Sequence, residues 1–84
     1  MNPGHKLGGP IANPIREMLD SGWKEGVKFR CEDDESAERC RYAALMLKRR
    51  NRYSYKTTRN GSVLTIYKEG TDPYELHGVV YVDR

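Results

Sequence analysis

Two runs rich in β-branched and aromatic residues, YSYKTTR (53–59) and SVLTIYK (62–68), flank the dipeptide Asn60-Gly61. Asn-Gly is favoured at the centre of a type I′ turn, whose twist matches that of the strands it joins. Such a turn sets Arg59 opposite Ser62, Thr57 opposite Leu64 and Tyr55 opposite Ile66. Those residues share one face, the only one apolar enough to be buried. Ser54, Lys56 and Thr58 share the other with Tyr67, Thr65 and Val63, a polar face left to solvent. An isolated hairpin is marginal in water, so neighbouring segments must supply the surface that covers Tyr55, Leu64 and Ile66.

The preceding residues do so. Val27, Phe29 and Cys31 alternate with Lys28, Arg30 and Glu32, a period of two that predicts a half-buried strand over 26–31. Ala37, Cys40, Ala43, Ala44 and Leu47 recur at helical spacing and predict a helix over 35–50, entered from the acidic run 32–35. Asn13-Pro14 reads as an N-cap followed by proline at the first helical position. Ile15, Met18 and Leu19 then predict a short helix over 14–21, with Gly22 as its stop and Trp23 anchoring the turn on the core. Residues 69–77 read as a connection opened by Asp72-Pro73 and pinned to the core by Tyr74 and Leu76. Residues 78–83 predict a last strand.

The order α-β-α-β-β-β predicts a small single-domain α+β sandwich. A helix between the first two strands makes them parallel, and the hairpin returns antiparallel to both. The expected sheet is mixed and three- or four-stranded, with both helices on one face. A winged-helix-like arrangement is the alternative, because a long helix followed by a hairpin suggests a recognition helix and wing. Residues 1–10, with Pro3, Gly4, Gly8, Gly9 and Pro10, read as a flexible arm, and 11–84 as the domain.

At 84 residues the chain holds one domain, and its small core argues against a deep catalytic cleft. No apolar run reaches the roughly 20 residues of a membrane span, and the first ten residues have no apolar stretch like that of a signal peptide. The expected setting is cytoplasmic, with no membrane partner. Cys31 and Cys40 stand nine positions apart, which is not a metal-knuckle spacing. A zinc site would need His5 and His77 to converge on them, so no metal or other cofactor is expected. Cys40 reads as a core residue, and both thiols are expected reduced.

The 15 Lys and Arg against 12 Asp and Glu give a net charge of +3, which names no partner. The distribution is more informative. Lys48, Arg49, Arg50, Arg52, Lys56 and Arg59 fall within residues 48–59 without an intervening acid, and the remainder is net negative. Acids before the long helix and bases at its end complement the helix dipole, at about 0.3–1 kcal/mol per well-placed charge. That effect fades within a turn and does not account for Arg52, Lys56 and Arg59. Tyrosines and hydroxyl residues interleave with these cations, groups that stack on bases or bond phosphate oxygens. The expectation is a non-enzymatic nucleic-acid-binding protein. Lys48, Arg49, Arg50, Arg52, Lys56 and Arg59 contact phosphates in this reading, and Tyr67 offers the exposed stacking surface.

A second reading is a protein-binding inhibitor or adaptor, using the acidic run 32–35 or the basic segment against a partner's groove. In size and composition the chain is similar to many small phage-encoded proteins, with no motif behind the likeness and no residue role carried over. The strand at 79–82 reads as an apolar sheet edge, which leaves a homodimer open. Asp72, Glu75 and His77 share the longest loop, where a small-ligand pocket is a further alternative. No catalytic residue is assigned.

Overall fold

A computed structural model describes residues 11–83; the proposed arm at 1–10 lies outside the described residues. Two helices pack on one face of a four-stranded mixed sheet, giving the small α+β fold. The elements are α1 (Ala12–Asp20), β1 (Gly26–Arg30), α2 (Asp34–Asn51), β2 (Tyr55–Asn60), β3 (Val63–Lys68) and β4 (Val80–Asp83). The sheet order is β2-β3-β1-β4. β3 runs antiparallel to both β1 and β2, and β4 runs parallel to β1. The hairpin therefore belongs to the main sheet and is not a wing on a helical domain.

One core holds the layers together. Val27 and Phe29 of β1 pair with Ile66 and Leu64 of β3 on the helix side. Ile15 and Met18 of α1, Cys40 and Ala44 of α2, and Tyr55 of β2 join them, all buried. Tyr55 is the largest fully buried side chain. Its hydroxyl donates to the Ala44 carbonyl at 2.5 Å, so this polar atom brought into the core has a partner. Burial pushes the Tyr55 phenol up to about 12, with neighbouring Tyr53 adding to the shift, and the group stays a neutral donor.

The hairpin turn is shifted from the expected one. Asn60 pairs with Val63, so the two-residue loop is Gly61-Ser62 and not Asn60-Gly61. Gly61 takes φ +64° while Ser62 is not among the positive-φ residues, which is the type II′ pattern with glycine first. Only glycine then enters the left-handed region, where a type I′ turn would force Asn60 there too. Tyr55 consequently faces Lys68 rather than Ile66, and Lys56 faces Tyr67. The offset is two residues along β3, and a two-residue shift keeps every side chain on its face. Tyr55, Leu64 and Ile66 stay inside.

Four other details differ from expectation. α1 begins at Ala12, which puts Pro14 in its first turn, where a backbone N–H has no intrahelical partner to lose. It ends at Ser21, whose Oγ accepts from the Trp23 and Lys24 amides, so Gly22 is not the stop. Trp23 is 66% exposed and lies against Gly78 instead of the core. Thr65, on the face expected to be open, is only 6% exposed.

The segment 69–79 explains that last burial. It folds back beneath the sheet, on the side away from the helices. Leu76 sits so close to Gly26 that a Cβ there would come within 2.6 Å of Leu76 Cδ1. The Glu25 amide donates to the His77 carbonyl at 3.0 Å, and the Glu25 carboxylate accepts from the His77 amide at 2.9 Å. Leu76 does pin the connection, but to the outer face. Tyr74 pins nothing and is 88% exposed.

Candidate nucleic-acid interface

The sequence of α2 sorts charge toward its two ends, and the fold gives the ends different surroundings. At the N-terminal end Asp33 caps the helix, accepting from the Ser36 amide at 2.8 Å. That hydrogen bond holds its carboxyl below the ordinary value of 3.8. One turn on, Glu35 pairs with Arg39, and Glu38 holds both Arg41 and Arg59 at 2.9 Å. Arg59 arrives there because β2 runs antiparallel to α2 and brings its far end back to the start of the helix. Its guanidinium also donates to the Gly61 carbonyl at 2.8 Å. Arg59 is therefore remote from the other basic residues and already neutralised.

The C-terminal end carries Lys48, Arg49 and Arg50 in its last turn. Arg52 caps it in the left-handed region, at φ 56° and ψ 38°. The Tyr53 amide donates back to the Lys48 carbonyl at 3.1 Å, closing the helix as a glycine-type cap usually does. A Cβ in this conformation costs about 1 kcal/mol relative to glycine. Arg52 is the only non-glycine residue with positive φ among the described residues. A strained position filled by a long cation points to a role for the side chain that is separate from the cap.

From this cap the chain enters β2, an edge strand of the sheet. Lys56 points to the outer face directly across from Tyr67, on an exposed position. Tyr67 is half-buried there and shows part of its ring. Lys48 Nζ lies 5.9 Å from the Tyr55 ring centroid, a weak cation–π contact that leaves its charge uncompensated. Lys48, Arg49, Arg50, Arg52 and Lys56 have no carboxylate partner among the described residues. The nearest acid by strand register is Glu69, which accepts from the Ser54 hydroxyl at 2.7 Å.

Five of the six expected cations thus follow one another from the last turn of α2 into β2, with Lys56 and Tyr67 on the sheet face opposite the helices, and Arg59 is drawn off to Glu38. The fold also adds a residue that the linear segment omits. Lys28 projects from β1 to the outer face, in the same cross-strand row as Thr65 and Thr58. The alternation of Val27, Lys28 and Phe29 already placed Lys28 on that face; its nearness to the hairpin follows only from strand order.

Elsewhere, the Cys31 and Cys40 sulfurs lie 3.8 Å apart, well beyond the roughly 2.05 Å of a disulfide bond. Both are thiols, with Cys40 in the core. No group of three or more His, Cys, Asp or Glu is placed to hold a metal among the described residues. No helix among them is long and apolar enough to cross a membrane. Comparison with known proteins finds no matching family model, no matching curated protein and no matching solved structure.

Proposed function

We propose that this protein binds nucleic acid through the corner where α2 ends and β2 begins. The observation that carries the reading is the selective absence of partners. Arg30, Arg39, Arg41 and Arg59 each sit against a carboxylate, whereas Lys48, Arg49, Arg50, Arg52 and Lys56, consecutive along the α2–β2 junction, have none among the described residues. A surface built only for solubility intersperses its signs, as the other end of α2 does. Unpaired cations this close along the chain favour a polyanion, which neutralises them while releasing condensed counterions. The helix end gives three charges along about one turn, and β2 extends the track to Lys56 and the Tyr67 ring on the outer face.

This arrangement suits phosphate contacts and base stacking more than base-edge reading. Weakly sequence-dependent binding is the expected mode, and the salt dependence is steep for so small a domain. The test is titration of labelled single- and double-stranded oligonucleotides with the wild type and with Arg49→Glu/Arg52→Glu/Lys56→Glu. Unchanged affinity in that variant refutes the proposal.

A protein-binding role is the second reading, and a different region favours it. β4 is the other edge of the sheet, with Tyr81 exposed on it and exposed Trp23 lying against Gly78 just before it. Exposed aromatics beside an open strand edge are typical of protein interfaces. A stoichiometric protein that stays bound after nuclease treatment supports this role, and a concentration-dependent doubling of mass in light scattering identifies the partner as a second copy.

A further inference from the structure

The segment 69–79 does more than cover the sheet. Between Pro73 and Tyr74 on one side and the outer face of β1, β2 and β3 on the other lies a cleft of about 540 Å³. That is within the usual size range of small-molecule sites, roughly 300–1,000 Å³. Its floor is a row across three strands: Thr58 pairs with Thr65, and Thr65 with Lys28. Directly paired side chains on one face stand about 5 Å apart. The floor is therefore a line of two hydroxyls and an ammonium, with the Asn60 carboxamide next along β2.

Lys28 is half-buried, and its ammonium makes no ion pair or hydrogen bond among the described residues. The other cation at the rim, Arg59, is occupied by Glu38 and the Gly61 carbonyl. The roof is held in place. Tyr74 and Glu75 amides both donate to Asp72, and Thr71 turns back onto the Lys68 carbonyl. Leu76 on Gly26 and the paired Glu25–His77 bonds fix the far end. Tyr74 thus offers a flat, largely uncovered ring above an anion-attracting floor.

We infer that this cleft binds a nucleotide unit, with a phosphate monoester on Lys28, Thr58 and Thr65 and the base against Pro73 and Tyr74. Donors in a line suit a tetrahedral oxyanion, which accepts from several at once. The ring and the proline suit a planar base and favour a nucleotide over a bare phosphate. The inference rests on the nucleic-acid reading only for the source of the nucleotide, a free mononucleotide or the phosphorylated end of a strand. Lys56 lies one outward position before Thr58 on β2, so a strand on the basic corner has its end within reach of the cleft.

Adenosine monophosphate added to the full chain tests it, followed by amide and side-chain NMR shifts. The expected result is saturable shifts at Thr58, Thr65 and Tyr74. Lys28→Met weakens binding by about tenfold or more, as loss of a charge-assisted contact should. Thr65→Val, close to isosteric, weakens it by a smaller factor, and unchanged thermal midpoints show that both variants fold. Arg49→Glu/Lys56→Glu leaves mononucleotide affinity within about twofold while oligonucleotide affinity falls, which separates this site from the basic corner. Competition by a 5′-phosphorylated oligonucleotide, and not by its 5′-hydroxyl form, assigns the site to strand ends. Lack of competition by both assigns it to free nucleotide. Absence of saturable shifts, equal affinity in Lys28→Met, or equal binding of inorganic phosphate alone overturns the inference.

Discussion

The two ends of α2 carry opposite charge and are held by different physics. At the N-terminal end, Glu35, Glu38, Arg39, Arg41 and Arg59 neutralise one another on the surface. Such exposed pairs stabilise by about 0–1 kcal/mol each, so this end is electrostatically quiet, and it is the buried Ala37 and Cys40 that secure it to the core. At the C-terminal end the charges are left unpaired, and the nearest buried attachment is the hydrogen bond from Tyr55 to Ala44, about one turn before Lys48. Anchoring and charge are thus separated: the core fixes where the cations sit, and their charges remain available to an external partner. The charge contrast was set by sequence, but its meaning comes from which end receives carboxylates from elsewhere in the fold.

The largest expected effect breaks the contrast directly. Arg49→Glu/Arg52→Glu/Lys56→Glu lowers oligonucleotide affinity by about 100-fold or more near 0.1 M salt. Arg39→Glu/Arg41→Glu, two charge reversals at the quiet end against three at the corner, lowers it by less than about fivefold. Fluorescence anisotropy measures both. If the two variants lose affinity equally, only net charge matters and the corner has no special role.

Anchoring is the next target. Tyr55→Phe removes the hydroxyl and leaves the Ala44 carbonyl without this donor in the core. The expected loss is about 1–2 kcal/mol in urea unfolding. Glu35→Ala at the opposite end costs less than about 0.5 kcal/mol. Arg52→Gly then separates stability from binding. It relieves the left-handed cap and raises stability by about 1 kcal/mol, while oligonucleotide affinity falls severalfold through loss of one cation. Loss of both together would show that the side chain supports the fold, and the functional reading of its strain would fail.

The smallest effect concerns pH at the quiet end. Asp33 titrates below 3.8 in the folded protein because it accepts from the Ser36 amide. A lowered folded pKa means its contribution is complete above the unfolded value and disappears as pH falls through the folded value. Asp33→Ala should flatten the stability profile below about pH 4 and leave oligonucleotide binding at neutral pH unchanged. Unfolding followed by circular dichroism from pH 2 to 6 reads this out.

The architecture was largely legible because its signals are local. Alternation at Val27–Phe29, helical spacing from Ala37 to Leu47, and a turn glycine at Gly61 each depend on a few consecutive residues. The hairpin register was offset because Asn60-Gly61 and Gly61-Ser62 both satisfy hairpin chemistry, and only one needs a single left-handed residue. Trp23, Tyr74 and Thr65 were misplaced for a shared reason. All three depend on where 69–79 runs, and that path is set by the crossing from β3 past β1 to β4. The basic corner was visible as a run of residues, but the departure of Arg59 to Glu38 and the approach of Lys28 to Thr65 arise from strand direction and order. Long-range pairing of that kind leaves no trace in residue spacing.

The most direct measurement is the dependence of oligonucleotide affinity on salt. For single strands the logarithmic slope is about −0.7 per neutralised phosphate. Five cations at the α2–β2 corner predict a slope near about −3.5 for the wild type. Arg49→Gln/Arg52→Gln/Lys56→Gln, removing three of them, should reduce it to about −1.4, and Arg39→Gln/Arg41→Gln should leave it unchanged. A wild-type slope near zero, or equal reductions from both variants, would contradict the assignment of binding to this corner.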